Sequence, residues 1–424
     1  MNSNQSATNV NGKLLPSIII GVLFFIFGFV TWLNGILIPY FKISCELSNF
    51  GATFVAFAFY ISYTIMALPA SWLLKRTGFH RGMTVGLLVM SVGTLIFIPA
   101  AFNRAYWMFL TGLFVMGAGL AVLQTASNPY ITILGPRESA ARRISIMGIC
   151  NKLAGAIAPL ILAYYILQDG DSFVQSLKGL DVAARTAALD GLAHRVIGPY
   201  LVMTVILILL GLFVWYAPLP EVDLEQEPDV KGVGIHSKTS IFQFPQLILG
   251  AVALFFYVGA EVIAGDTIIR YGISQGIEIS TAKAFTSYTL VSMIAGYLLG
   301  IFLIPRFITQ RLALQVSALL GLLFTMGVVF TEPSTSILFL ALLGLANALV
   351  WPAIWPLAIH DLGKFIKTGS AVLIMAIAGG ALMPLIWGKL SDVYSYQVAY
   401  AILFPIYLVI LYYSVWGHKL RSWR

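Results

Sequence analysis

The chain has 424 residues, of which 59% are apolar and only 10% charged, with a formal net charge of +8. A soluble domain averages roughly 45–50% apolar and about 25% charged residues, so a water-soluble globular enzyme and a disordered chain are both excluded. The basic excess does not call for nucleic acid, because its placement along the chain reads as membrane topology.

Apolar stretches of about 20 residues recur from end to end, each long enough to cross a hydrocarbon core about 30 Å thick. About twelve spans are predicted, near residues 15–40, 50–74, 82–101, 105–134, 141–167, 196–217, 246–270, 281–304, 312–331, 336–359, 367–388 and 397–417. The polar start, MNSNQSATNVNGK, lacks a cleavable pattern, so the first span is expected to act as an uncleaved signal. Lys75, Arg76, Arg81, Arg137, Arg142, Arg143, Arg306, Arg311, Lys364 and Lys367 fall in even-numbered loops, whereas the short odd-numbered loops carry fewer basic residues, among them Lys42, Arg104 and Lys389. The positive-inside rule then puts the even loops and both termini in the cytoplasm. Cys45 near a surface and Cys150 in mid-span are not placed to form a disulfide.

Two longer polar segments interrupt the spans. Residues 168–195 form an outside loop with an Ala-rich stretch suited to a surface helix. Residues 218–244, rich in Pro, Gly and charge, read as a flexible cytoplasmic linker that divides the spans six and six. The halves echo one another. GAGLAVLQTASNP (residues 117–129) in the fourth span and GLANALVWPAIWP (residues 344–356) in the tenth both begin with Gly and end with Pro. Ala158-Pro159-Leu160-Ile161 is matched by Met383-Pro384-Leu385-Ile386, and PASWLLKRTGFHR after the second span by GIFLIPRFITQR after the eighth. Parallel six-helix repeats about the membrane normal build the major facilitator fold. In such proteins the short basic turn carrying Lys75, Arg76, Gly78 and Arg81 steadies one conformation, although topology alone accounts for its charge equally well.

Charges inside the spans mark where function is expected. Lys152 lies deep in the fifth span, and Glu261 and Asp266 lie deep in the seventh. A charge at the bilayer centre costs at least roughly 2.5 kcal/mol and usually faces a cavity. At 100° per residue the two carboxylates stand about 140° apart around their helix, so they need not touch. Gly259 and Gly265 are placed to loosen the helix and free carbonyls. Asp266, Thr267 and such carbonyls offer oxygen ligands to a hard cation such as Na⁺, and a desolvated carboxylate is equally able to carry a proton. Lys152 is expected to pair with Asp266 or Glu261 when the cation is absent. The structural alternatives are a fixed ion pair with Lys152 or Arg270, and snorkelling of Lys152 to an interface.

FFIFGFVTWLNGILIPYFK (residues 24–42), GLAVLQTASNPYITILGP (residues 119–136), PLPE (residues 218–221) and FFYVGAEV (residues 255–262) resemble the fucose–galactose–glucose:cation symporter family of the major facilitator superfamily. The resemblance covers most of the chain and implies import of a hexose or related monosaccharide across a bacterial inner membrane. It departs at two places. The proton-coupled fucose permease has an Asp where this chain reads Gly35, after Asn34, and a Glu where it reads Gln124, before Thr125. The coupling role of those carboxylates does not carry over.

Sugar recognition needs fixed amide and carboxylate partners plus aromatic faces, and buried polar groups discriminate because a missing hydroxyl leaves them unpaired. Candidates are Asn34, Gln124, Asn128, Asn151, Glu261, Asn347, Trp351 and Trp355. Gln124 and Asn128 share a helix face, as do Trp351 and Trp355, and Trp351 stands at the repeat position of Gln124. Helix–helix bonding for each amide, packing for each Trp and a kink at Asn128-Pro129 are the alternatives. A P-loop is missing and the histidines do not cluster, which leaves an enzyme, a cofactor and a transition-metal site without support.

The expected protein is an all-α membrane protein of major facilitator fold. Its 12 transmembrane helices form two six-helix bundles related by pseudo-two-fold symmetry: residues 1–217, the linker 218–244, and residues 245–424. The expected function is import of a monosaccharide such as glucose or galactose by cation symport, Na⁺ favoured over H⁺, by a monomer in the bacterial inner membrane. Asp266, Glu261 and Lys152 would couple the ion. An uncoupled uniporter and a non-transporting sugar sensor are the alternatives.

Overall fold

The computed structural model describes residues 3–133, 140–217, 238–304 and 306–423, and the linker residues 218–237, including the PLPE motif, lie outside them. Among the described residues the chain is helical without strands. Twelve helical spans run over Leu15–Ser44, Phe50–Leu74, Arg76–Phe102, Tyr106–Asn128, Arg143–Gly179, Val182–Tyr216, Pro245–Asp266, Ile279–Leu303, Gln310–Phe330, Pro333–Ile359, Thr368–Val393 and Tyr396–Lys419. In hydrocarbon every backbone group must be satisfied within the segment, which leaves helix as the state open to these runs.

Breaks occur where local chemistry departs from the helix. The second and third spans meet at Gly78, whose φ of 74° and ψ of 174° suit a residue without Cβ. The seventh span ends at Asp266, and a separate helix, Ile268–Ser274, follows. The predicted span ran on to residue 270 because hydropathy does not register a break between two apolar turns. Here the Thr267 hydroxyl donates back to the Ile263 carbonyl, 2.6 Å away. The tenth span is split into Pro333–Asn347 and Val350–Ile359. Its repeat partner, the fourth, runs as one helix, Tyr106–Ile133, in which the Asn128 amide donates to the Gln124 carbonyl at 3.0 Å. The Ala-rich surface helix forms over Val182–His194, capped by Asp181 on Ala184 N at 2.7 Å. Tyr40 ties it to the first span by donating to the Leu192 carbonyl at 2.9 Å.

The bundles pack by the same rules in each half. A Cβ added at Gly117 would run into the Phe59 carbonyl oxygen of the second span, and one at Gly344 into the Thr289 carbonyl oxygen of the eighth. The fourth-on-second and tenth-on-eighth contacts are repeat equivalents, and small residues let membrane helices approach this closely. Between bundles the fifth span lies on the eighth and the second on the eleventh, two contacts that a pseudo-two-fold axis exchanges. Cys45 and Cys150 are both free thiols.

Gly117→Ala and Gly344→Ala are each expected to lower the melting temperature of the purified protein, through an overpacking cost of about 1–3 kcal/mol. Gly198→Ala, whose Cβ would meet nothing within 4 Å, is expected to melt like the parent. Identical melting of all three would rule out these helix contacts.

Candidate functional site

At mid-depth the two bundles enclose a cavity of about 110 Å³. By the measure of about 10–15 Å³ per water centre it holds several waters, the scale of a small polar ligand. Its polar wall comes from both halves: Gln124, Asn128, Asn151 and Lys152 from the first, Glu261 from the second. Its aromatic wall includes Phe24, Phe27, Trp32, Tyr60, Tyr63, Tyr257, Tyr297 and Trp351.

The cavity centres on one ion pair. Lys152 Nζ lies 2.5 Å from Glu261 Oε1, each side chain about a tenth exposed. The ammonium also stands 4.4 Å from the centroid of the Trp32 ring, a cation–π contact that strengthens when desolvated. Trp32 itself is wedged between bundles: a Cβ at Gly155 or at Gly265 would collide with its ring. These two glycines, one from each half, admit the indole at the interface.

Asp266 sits one step beyond this wall. It is 1% exposed, and neither carboxylate oxygen has a hydrogen-bond partner among the described residues. Arg270, one turn on, forms no ion pair with it; its guanidinium lies 5.1 Å from the Trp387 ring centroid. The neighbouring Thr267 hydroxyl is engaged with the Ile263 carbonyl and, at 2.7 Å, with Tyr400 of the twelfth span. It is therefore turned away from the shared ion site that its place in the sequence predicts. Among the described residues there is no group of three or more His, Cys, Asp or Glu able to hold a metal ion.

Above the cavity, on the face that carries residues 168–195, the halves are latched. The Asp171 carboxylate accepts from the backbone N–H groups of Ile279 and Ser280, both at 3.1 Å. The Ser287 hydroxyl donates to the Ala156 carbonyl at 2.6 Å. Each bond joins one bundle to the other.

The profile of the Major Facilitator Superfamily matches residues 20–375. The chain belongs to the Major Facilitator Superfamily. Over 401 residues it is 33% identical to a glucose/galactose transporter of Brucella abortus, covering 94% of this chain and 93% of that one. It is 29% identical to the L-fucose-proton symporter of Escherichia coli, over 92% of this chain and 90% of that one. Its structure is similar to that of the superfamily transporter FucP in the outward conformation, with a TM-score of 0.76 and 28% identity over 97% of this chain and 100% of that one. Within the superfamily these relatives put it with the fucose–galactose–glucose:cation symporters. The fold and the relatives are those of transporters, not of enzymes.

In this facilitator the structure sorts the predicted site residues. Gln124, Asn128, Asn151, Lys152, Glu261 and Trp351 line the cavity, so the repeat-related Gln124 and Trp351 face one space. Trp355 stacks behind Trp351, with centroids 5.4 Å apart, and is buried in the core. Asn347 is removed from the cavity: its Oδ1 accepts from Tyr407 at 2.9 Å, binding the tenth span to the twelfth. Asn34 is fully buried beside Gly35, outside the lining. At the basic turn, Arg76 lies over Trp72 at 4.0 Å and Arg81 over Trp215 at 5.8 Å, while the Lys75 side chain lies outside the described residues. Sequence reading passed over Trp32, Tyr60 and Tyr63. The signal was present: Tyr60 and Tyr63 are i,i+3 on one face of a span, and buried phenols need partners.

Lys152→Met is expected to destabilise the protein by about 3–5 kcal/mol, because it strands a buried carboxylate. Adding Glu261→Gln to Lys152→Met is expected to recover part of that loss in a detergent melting assay. A double variant no more stable than the single would show that the pair is not the stabilising contact.

Proposed function

We propose that this facilitator imports a monosaccharide of the hexose class by cation symport, through alternating access of its two bundles. The observation that carries the reading is the Lys152–Glu261 pair, one partner from each bundle, in the wall of a cavity lined by amides and aromatic faces. A pyranose fits that chemistry. Its hydroxyls take up the amides of Gln124, Asn128 and Asn151 and the Glu261 carboxylate, while its apolar face lies on Trp351. The relatives are named for glucose, galactose and fucose, which supports a neutral hexose over an amphiphilic drug.

Coupling is assigned to Asp266, with Glu261 and Lys152 as its partners. A buried carboxylate without a donor is unfavourable in its charged form, so loading a cation beside it favours closure of the bundles around ion and sugar. Na⁺ is favoured over H⁺ because oxygen ligands suit a hard cation and because neither position 35 nor position 124 is a carboxylate. The E. coli relative is named as a proton symporter, and proton coupling is the competing assignment. The site of action is the bacterial inner membrane. Both termini are then cytoplasmic, the latched face is periplasmic, and the basic turn at Arg76, Gly78 and Arg81 serves as a gate on the cytoplasmic side.

Uptake of labelled glucose into proteoliposomes tests this under an Na⁺ gradient, a proton gradient and no gradient. Accumulation above equilibrium is expected with Na⁺ alone. Asp266→Asn is expected to exchange sugar at near parental rate but to lose accumulation. Equal, equilibrium-level uptake in all three conditions would make the protein a uniporter, and accumulation by Asp266→Asn would remove Asp266 from coupling.

A further inference from the structure

Next to the cavity, three buried side chains leave all their polar atoms without a protein partner. Asn34 in the first span, Tyr60 in the second and Asp266 closing the seventh are 0%, 3% and 1% exposed. Both Asp266 oxygens, both Asn34 amide atoms and the Tyr60 hydroxyl make no hydrogen bond to the described residues. The three converge. The Tyr60 hydroxyl is turned toward the Asn34 amide and lies within electrostatic reach of Asp266. Asp266 Oδ1 approaches the first span directly beside Asn34: a Cβ on Gly35 would stand 3.7 Å from it. Buried polar groups are ordinarily paired. Several orphaned atoms facing one point mark a place where a single bridging particle satisfies them together.

We propose that Asn34, Tyr60 and Asp266 form a binding site for dehydrated Na⁺, shared by the two bundles and parted from the cavity by the Tyr60 ring. The transport role of this site rests on the symport reading above; its ion binding does not. A proton on Asp266 would neutralise the carboxylate without bridging it to the Asn34 amide oxygen and the Tyr60 phenol, which make no well-formed hydrogen bond among the described residues. A cation between them takes the carboxylate, the amide oxygen and the phenol oxygen as ligands, the hard donors that such ions prefer. One carboxylate balances one positive charge, which favours a monovalent ion over a divalent one. Arg270 also lies within electrostatic reach of Asp266. Its charge weakens the hold on the ion, which suits an ion that has to leave again.

The site's position supplies a coupling route. Asn34 and Tyr60 belong to one bundle and Asp266 to the other, so the ligand set is complete only while the bundles are closed at this level. Tyr60 lines the cavity and stacks on Tyr63 with centroids 6.4 Å apart. The Tyr63 hydroxyl accepts from Gln124 Nε2 at 3.3 Å. An ion that fixes Tyr60 thereby fixes a cavity amide.

The test is cation titration of the purified full-length protein in detergent without sugar, with choline as the balancing ion. Tryptophan fluorescence is the readout, because Trp32 packs against Gly265 beside Asp266, and melting temperature is the second. A saturable response to Na⁺, absent with K⁺ and unchanged between pH 6 and 8 at saturation, is expected. Asp266→Asn is expected to abolish it. Asn34→Ala and Tyr60→Phe, each removing a direct ligand, are expected to raise the half-saturating Na⁺ by at least the roughly 10–100-fold that loss of a group behind a ligand costs, and Thr267→Val is expected to leave it unchanged. A parent protein that responds to pH and not to Na⁺ would overturn the proposal without any variant. So would Asn34→Ala and Tyr60→Phe proteins that bind Na⁺ like the parent. Proton-driven accumulation dependent on Asp266, with no response to Na⁺ in the titration, would keep the symport reading while removing this site. Na⁺ binding dependent on all three residues, without accumulation, would keep the site and remove the coupling.

Discussion

The architecture turns on one buried contact, the Lys152–Glu261 ion pair that joins the bundles across the cavity. Two opposite charges at mid-depth in a membrane protein cost least when each neutralises the other. Here the ammonium has a carboxylate on one side and the Trp32 ring on another. Trp32 in turn requires Gly155 and Gly265 to remain without side chains. The pair therefore sets more than a distance. It ties the fifth span to the seventh and holds the ammonium against the indole.

In the proposed symport cycle a contact of this kind joins binding to motion. In that proposed cycle the carboxylate that neutralises Lys152 also accepts from the sugar, so sugar and lysine compete for one group. The latch above the cavity is made of hydrogen bonds, from Asp171 to the start of the eighth span and from Ser287 to the fifth. Such bonds exchange for water at modest net cost, unlike the apolar core of each bundle. Opening of the latched face thus asks little of the bundle interiors, and in the proposed cycle the ion pair is the element whose state differs with cargo. Asp266 stands between these two features, buried beside the break at Thr267.

The sequence carried the order of the scaffold, though not the helix breaks after Asp266 and Asn347. Twelve spans, their division six and six and the repeat relation were legible because hydrocarbon leaves helix as the open choice and because Gly117 and Gly344 sit at equivalent places. Lys152, Glu261 and Asp266 stood out for the same reason: charge is rare in such segments, and each instance has to be accounted for. Spacing along the seventh helix also predicted that Glu261 and Asp266 face different ways, as they do.

Which residues meet across the bundle interface was decided only by the tertiary structure. Helical periodicity puts residues on a face but does not say what lies opposite. Lys152 had two candidate partners and took Glu261. Thr267 looked like a ligand beside Asp266 and bonds instead to Tyr400. Asn347 looked like a sugar amide and holds Tyr407. Asn34 moved from the cavity to the side of Asp266, and Tyr60 and Tyr63 entered the site unannounced. Membrane insertion depends on the composition of each span separately, which is local information. Pairing between spans depends on how two bundles of similar apolar helices are turned toward one another, and that orientation exists only once they are packed.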